Sequence, residues 1–186
     1  MLRILCAAII VVALVFPLEG SADPVKSAVA AAGSADLVRS AAAAAKVETL
    51  KSFKLKTPDG VDRTLPDVLG SKATLVVFFF PTCPYCNAAF PSVQKMYETY
   101  KDKGLSIVWI NVVPDEAKLI AAWQAQHGYT VPVLLGKSST PREYQVRVTP
   151  THYLLNASGG ILQKKDGYSP GDEQALDQDI QKALGS

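Results

Sequence analysis

The chain has 186 residues, nearly half of them apolar, which suits one globular domain with a substantial core better than two domains. Its 19 basic and 17 acidic residues leave a net charge of only +2. There is no basic block and no acidic tail, so the composition gives no reason to expect nucleic acid as a partner.

The first 22 residues have the pattern of an export signal. Arg3 lies beside the N-terminus, an apolar run extends over 4–16, and small residues at 20–22 precede Asp23. The run is shorter than the roughly 20 apolar residues that a membrane-spanning helix needs, so we expect cleavage near Ala22. An uncleaved membrane anchor is the alternative. Both interpretations predict a periplasmic or other extracytoplasmic location.

An alanine-rich segment over 23–49 has little apolar bulk to bury. It is interpreted as a tether between the export signal over 1–22 and a domain over 50–186, with a packed N-terminal helix as the alternative. At the start of the domain, apolar and charged residues alternate over 53–56, and a turn pattern follows at 57–60. A returning strand over 61–65 would complete a β-hairpin.

A continuous apolar run over 74–80 predicts a central strand that is buried on both faces. A helical pattern follows over 83–103 and ends at Gly104, and another buried-type strand covers 105–113. A strand, a helix of crossover length and a strand in this order predict a βαβ unit with parallel strands.

The rest of the chain continues the α/β pattern. The predicted elements are a helix over 114–127, a strand over 131–135, a short helix over 141–146, two antiparallel strands over 151–155 and 161–165, and an amphipathic helix over 172–184.

Cys83 and Cys86 are the two cysteines that remain once Cys6 leaves with the export signal. A two-residue spacer closes almost no loop, so a purely structural disulfide is disfavoured. Cys83 opens the helix, where free N–H groups and the helix dipole stabilise a thiolate, and Pro84 suits the first turn. Cys86 lies one turn further in. We therefore expect Cys83 to attack a partner disulfide and Cys86 to resolve the mixed disulfide.

Metal binding is the main alternative use of two such cysteines. Zinc takes four ligands, and neither His127 nor His152 has a ligand spacing to them, so we expect no zinc site. Both histidines are expected to be structural or solvent-facing. Copper(I) accepts two thiolates, so a copper carrier stays open. The prediction is that the redox-active disulfide Cys83–Cys86 is the sole redox group, without a metal or other cofactor.

The sequence strand–Cys-Pro-Tyr-Cys–helix resembles the thioredoxin superfamily. Pro91 matches the proline in that family's first helix, and Thr149-Pro150-Thr151 matches its cis-proline segment. The resemblance implies that Pro150 is cis and faces the cysteine pair, and that the backbone of Thr149 pairs with a bound partner chain. It implies a substrate-contacting surface that comprises Pro84, Tyr85, Thr149 and Pro150.

Over about residues 50–184 the chain most resembles the TlpA/ResA-like group of extracytoplasmic thioredoxins. The shared features are the export signal, the hairpin over 53–65 and an inserted helix and strand over 114–136 before the proline segment. This resemblance implies a thioredoxin fold with these two additions and a thiol–disulfide oxidoreductase. Its expected role is to reduce disulfides of exported proteins, as in cytochrome c maturation or copper-site assembly, with a membrane electron donor for recycling.

The chain departs from the family pattern at three positions. Thr82 stands where tryptophan is frequent, and Val77 and Ala89 stand where a buried acid is expected, so proton transfer at Cys86 must use water or another group. Phe80 stands where peroxiredoxins have threonine, which disfavours a peroxidase. Because of these departures, the direction of electron flow stays open, and a disulfide oxidase or isomerase is an alternative. A copper(I)-binding assembly factor that uses the same two thiolates is another.

Overall fold

The computed structural model describes residues 47–114 and 116–185. The predicted export signal over 1–22 and residues 23–46 of the predicted tether lie outside the described residues. The end of the tether already joins the domain, because the N–H of Ile161 donates to the carbonyl of Glu48 at 2.7 Å and that of Leu50 to Gly159 at 3.0 Å. No helix within the described residues is long and apolar enough to cross a membrane.

The described residues form one sheet with helices on it. The strands are β1 (Lys54–Lys56), β2 (Asp62–Thr64), β3 (Ala73–Phe79), β4 (Leu105–Asn111), β5 (Val133–Leu135), β6 (Thr151–Asn156) and β7 (Ile161–Asp166). The helices are α1 (Leu65–Val68), α2 (Pro84–Tyr100), α3 (Ala117–His127), α4 (Thr140–Glu143) and α5 (Asp172–Leu184). A 3₁₀ turn over Lys101–Lys103 follows α2.

The strand order is β2-β1-β5-β4-β3-β6-β7. Strand β3 pairs parallel with β4, and β4 pairs parallel with β5. Strands β6 and β7 form an antiparallel hairpin that joins the other side of β3. The hairpin β1–β2 attaches to β5. This mixed α/β sheet confirms the predicted fold class.

Strand β3 is buried along its whole length because both faces of the sheet are covered. Its residues 75, 77 and 79 belong to a core cluster with α2 and α5, and residues 76 and 78 belong to a second cluster with α1 and with Tyr144, the residue after α4. On the α2 side the rings of Phe90 and Trp109 stack with centroids 4.4 Å apart, and Phe79 meets Phe90 edge-on at 5.1 Å. This rigid packing fixes the end of β3, from which the chain enters α2.

Three helices differ from the sequence prediction, and one of them, α4, covers Thr140–Glu143 and not 141–146. Helix α2 gives way to the 3₁₀ turn before Gly104 ends the segment in a left-handed conformation with φ of 101°. Helix α3 begins at Ala117 and not at Pro114. The side chain of Asn111 explains the delay, because its amide donates to the carbonyl of Val113 at 2.6 Å and to Glu116 at 3.0 Å and so holds the intervening loop.

Candidate active site

Cys83 is the N-cap residue of α2, four residues after Phe79, the last residue of β3. Its N–H donates to the carbonyl of Phe80 at 3.1 Å, and its own carbonyl accepts the N–H of Asn87 at 3.0 Å. The side chain of Asn87 donates to the carbonyl of Pro81 at 2.9 Å. The short connection between strand and helix is therefore fixed from both ends, and the position of the Cys83 sulfur is fixed with it.

The sulfur of Cys83 accepts two hydrogen bonds from other residues. The N–H of Cys86 donates to it at 3.3 Å, in the way that a side chain caps a helix. The hydroxyl of Thr149 donates to it at 3.2 Å. The thiol can in turn donate to the carbonyl of Thr149 at 3.5 Å. Donors aimed at a sulfur stabilise its thiolate, the form that acts as a nucleophile.

The register of the sheet explains how Thr149 reaches Cys83. Thr151, the first residue of β6, lies opposite Phe78 near the end of β3, so the preceding residues 148–150 lie beside the β3–α2 connection. The Thr149–Pro150 peptide bond is cis. The hydroxyl of Thr151 donates to the carbonyl of Val148 at 2.8 Å. The N–H of Gly167 donates to the carbonyl of Pro150 at 2.7 Å. These contacts hold the proline segment against the cysteines.

The two cysteines, which are present as thiols, differ in exposure less than their positions predicted. Cys86 is fully buried, but Cys83, predicted at the open end of the helix, is itself only 3% exposed. Cys83 is less exposed than predicted because Thr149 contacts its sulfur. Pro84 is exposed and Tyr85 is 64% exposed, whereas Pro150 is buried. The surface above the cysteines is thus presented by the two residues between them.

Burial is the largest of the causes that raise the pKa of the Cys86 thiol far above its usual range. A hydrogen bond with Cys83 raises it further, and one with Thr149 partly opposes the shift. Cys86 is therefore held as a neutral thiol, and it can act as a nucleophile only if its proton is removed as it reacts.

Val77 and Ala89 occupy the two positions near the cysteine pair where a buried acid was expected. Both are apolar and buried. Directly opposite Val77, however, stands His152 on β6. It is 6% exposed, and neither of its ring nitrogens has a hydrogen-bond partner within the part of the chain that the structure describes. Burial, together with nearby Lys165, lowers its pKa to about 4. Of the two expectations for this histidine, structural or solvent-facing, its burial excludes the solvent-facing one.

Sequence patterns did not place Asn87 or His152 at the site. For His152 the sequence offers only a weak signal, its place in a short strand beside Leu154 and Leu155, and the structure buries every residue of 151–155. His127 lies at the end of α3 as expected, where its Nδ1 lies 2.9 Å from the carbonyl of Trp123. Within 47–114 and 116–185, no group of three or more histidine, cysteine or acidic side chains could hold a metal ion.

Comparison with known proteins places this geometry in a family. The profile of the Redoxin family matches residues 45–180. The thioredoxin-like protein YneN of Bacillus subtilis is 32% identical over 136 residues, which cover 68% of this chain and 76% of that protein. The sporulation thiol-disulfide oxidoreductase A of the same organism is 30% identical over 118 residues, which cover 62% and 70% of the two chains.

A solved structure supports the same assignment. The crystal structure of a protein from Chlorobium tepidum, provisionally assigned as thiol:disulfide interchange protein DsbE, superimposes with a TM-score of 0.68. It is 31% identical and covers 75% of this chain and 98% of its own. The chain therefore belongs to the Redoxin family, and it is a thioredoxin-like thiol–disulfide oxidoreductase.

Proposed function

We propose that this chain reduces disulfides of exported proteins through Cys83 and Cys86. The observation that carries the proposal is the environment of the Cys83 sulfur, which accepts hydrogen bonds from the N–H of Cys86 and the hydroxyl of Thr149. A sulfur with two such donors at the start of a long helix is suited to attack as a thiolate.

In the proposed reaction the Cys83 thiolate attacks one sulfur of the partner disulfide, and the other partner sulfur leaves with the electron pair. Cys86 then attacks the Cys83 sulfur and releases the second partner thiol, which leaves a Cys83–Cys86 disulfide. The net result is that the partner is reduced and this pair is oxidised. No further cofactor takes part in these steps. A membrane electron donor is proposed to return the pair to the dithiol.

The proposed surface for the partner surrounds the cysteines. Pro84 and Tyr85 lie exposed above them, and Val148, which is also exposed, precedes the proline segment. An extended stretch of the partner would pair with the backbone of Thr149, next to cis-Pro150, in the manner of an added β-strand. Apolar exposed side chains on both sides would hold the partner while its disulfide reaches Cys83.

Substrate trapping tests the assigned roles. With Cys86→Ser the mixed disulfide has no internal thiol to resolve it, so covalent complexes with exported partners should accumulate. With Cys83→Ser they should not. Accumulation in the Cys83→Ser variant would reverse the two roles and refute the proposal.

The reduction potential separates the reductase from its alternatives. A value near that of thioredoxin, about −270 mV, would support a reductant of protein disulfides, whereas one near −120 mV, about that of DsbA, would indicate an oxidase. Copper retained after anaerobic purification would instead favour a copper(I)-binding assembly factor that uses the same cysteines.

Export is tested on the full chain in its natural host. We propose cleavage near Ala22, so the exported protein should have the mass of a chain that starts near Asp23 and should contain two thiols when reduced. A mass that includes residues 1–22 would indicate a retained anchor in its place.

A further inference from the structure

The surface on the α2 side of the reactive sulfur carries no charge. Residues 79–94, from the end of β3 through the first half of α2, include no acidic or basic side chain. In the loop after β4, the carboxylate of Glu116 already accepts a hydrogen bond from the side chain of Asn111 at 3.0 Å. The charge beside this neutral surface lies in the chain segment that leads into the cis-proline.

That segment, residues 136–150, is cationic. Its three basic residues are Lys137, Arg142 and Arg147. Its single acid is Glu143, whose carboxylate lies 2.7 Å from Nζ of Lys51. None of the three basic side chains forms an ion pair within the part of the chain that the structure describes. Unpaired positive charge beside a binding site favours a partner that carries negative charge at the matching place.

Arg147 is the one of these cations that stands next to the reacting atoms along the chain. It precedes Thr149 by two residues, and the hydroxyl of Thr149 lies 3.2 Å from the sulfur of Cys83. Two residues of chain span at most about 7 Å. Because the side chain of Arg147 is exposed, a partner that reaches Cys83 also comes within reach of the guanidinium.

The acid that approaches the proline segment from β7 already has a partner. Asp166 is brought there by its neighbour Gly167, whose N–H donates to the carbonyl of Pro150 at 2.7 Å. The carboxylate of Asp166 lies 3.2 Å from Nζ of Lys164. A counter-charge for the exposed guanidinium is therefore left to a bound partner.

The backbone of the segment can bring such a counter-charge into place. Neither the N–H of Thr149 nor the N–H and carbonyl of Arg147 take part in a backbone hydrogen bond among the described residues, so an extended partner stretch can pair with them. Alternate side chains of such a stretch lie on one side, about 7 Å apart. A carboxylate within two positions of the attacked cysteine can then form the two parallel hydrogen bonds that a guanidinium offers.

We propose that Arg147 is a specificity-determining residue, which selects partners that carry an acidic side chain within two residues of the attacked cysteine. The inference deepens the proposed function and rests on it. Arg147 takes no part in the exchange of sulfur bonds. It holds the partner stretch by an ion pair while Cys83 attacks, and the two other cations of the segment add a weaker attraction over a longer range.

The experiment compares three peptides of one sequence. Each has a single cysteine with two identical residues on either side of it, glutamate, glutamine or lysine, and is supplied as a disulfide-linked dimer with a self-quenched fluorophore. The full chain, reduced and carrying Cys6→Ser in every sample, opens the dimer, and the fluorescence gives the rate constant. Each rate constant is divided by that of dithiothreitol with the same peptide, which corrects for the reactivity of the disulfide itself.

At low salt the unsubstituted protein should reduce the glutamate peptide about fivefold faster than the lysine peptide, with the glutamine peptide between them. The ratio should approach one in about 1 M salt, where charges are screened within about 3 Å. Arg147→Gln should lower the ratio to about twofold or less, and Arg147→Glu should invert it. All variants should reduce the uncharged glutamine peptide at the same rate, which shows that they are folded.

Arg63→Gln is the matched control, because it removes an exposed arginine from β2 at the outer edge of the sheet and should leave the ratio unchanged. Failure to reduce any of the three peptides would refute the proposed function itself. Equal corrected rates for the glutamate and lysine peptides, or a ratio that Arg147→Gln leaves intact, would overturn only the role of Arg147. A ratio that falls as much in Arg63→Gln as in Arg147→Gln would overturn it as well.

Discussion

The hydroxyl of Thr149 lies 3.2 Å from the sulfur of Cys83, although the two residues are 66 positions apart in the chain. This contact joins the cis-proline segment to the start of α2. It covers the sulfur from solvent and supplies a hydrogen-bond donor that does not come from the helix. The proposed nucleophile is therefore formed by two segments, and its reactivity depends on both.

Loss of this hydroxyl should slow the first chemical step. In Thr149→Val the attack of Cys83 on Ellman's reagent should be about tenfold slower, because a hydrogen bond to a charged group contributes about 1.5 kcal/mol or more. Thr149→Ser keeps the hydroxyl and should retain most of the rate. Equal rates for the valine variant and the unsubstituted protein would show that the contact does not stabilise the thiolate.

The two thiols should differ in alkylation. With limiting iodoacetamide near neutral pH, the Cys6→Ser chain should be modified at Cys83 and not at Cys86, because burial raises the pKa of Cys86. Peptide mass spectrometry locates the adduct. Unfolding in urea is the control, since both cysteines should then react alike; equal modification in the folded protein would contradict the burial of Cys86.

Stability should depend on pH through His152. Its pKa is about 4 in the folded protein and 6.5 in an ordinary setting, so the unfolded chain binds more protons between these values. The contribution of neutral His152 to the free energy of unfolding is complete above about pH 6.5. It is lost as the pH falls toward about 4, and the loss is at most about 3 kcal/mol. Urea unfolding across this range measures it.

His152→Leu is the matched variant for that measurement, and its stability should change much less over the same range. The carboxyl groups whose pKa is lowered by their partners, including Asp62 and Asp172, lose their contributions mainly below about pH 4. An equally steep loss of stability in the leucine variant would assign the pH dependence to other groups.

The aromatic packing under the site should be a main source of stability. Phe90 is fully buried against Trp109 and Phe79, so Phe90→Ala should reduce the free energy of unfolding by about 3 to 5 kcal/mol. Tyr85→Ala, which truncates an exposed ring, should change it by less than about 0.5 kcal/mol. A small effect at Phe90 would mean that the core collapses around the cavity.

Sequence patterns predicted the elements whose signals are local. Each of these signals lies within one short segment: the apolar run of β3, the proline and cysteines at the start of α2, and the apolar stripe of helix α5. Helix α5 has the predicted bounds 172–184. The start of α3 was predicted too early. The side chain of Asn111 donates a hydrogen bond to the loop before the helix, and hydrophobic periodicity does not reveal such a contact.

The contacts of the site itself were less predictable. The sequence indicated Cys83 and Cys86, but the burial of Cys83 depends on Thr149, which reaches it only through the pairing of β6 with β3. His152 becomes a neighbour of Val77 through the same register. Pairings between distant segments depend on the whole sheet, so they cannot be read from one stretch of sequence.

The outer strands of the sheet have a consequence for behaviour at high concentration. Strand β2 presents Asp62 and Arg63 at one edge, and β7 presents Lys164 and Lys165 at the other. An open strand edge is a template for further strands, and charged side chains along it make such growth unfavourable. These two charged edges therefore protect the protein from joining copies of itself into longer sheets, the first step toward aggregation.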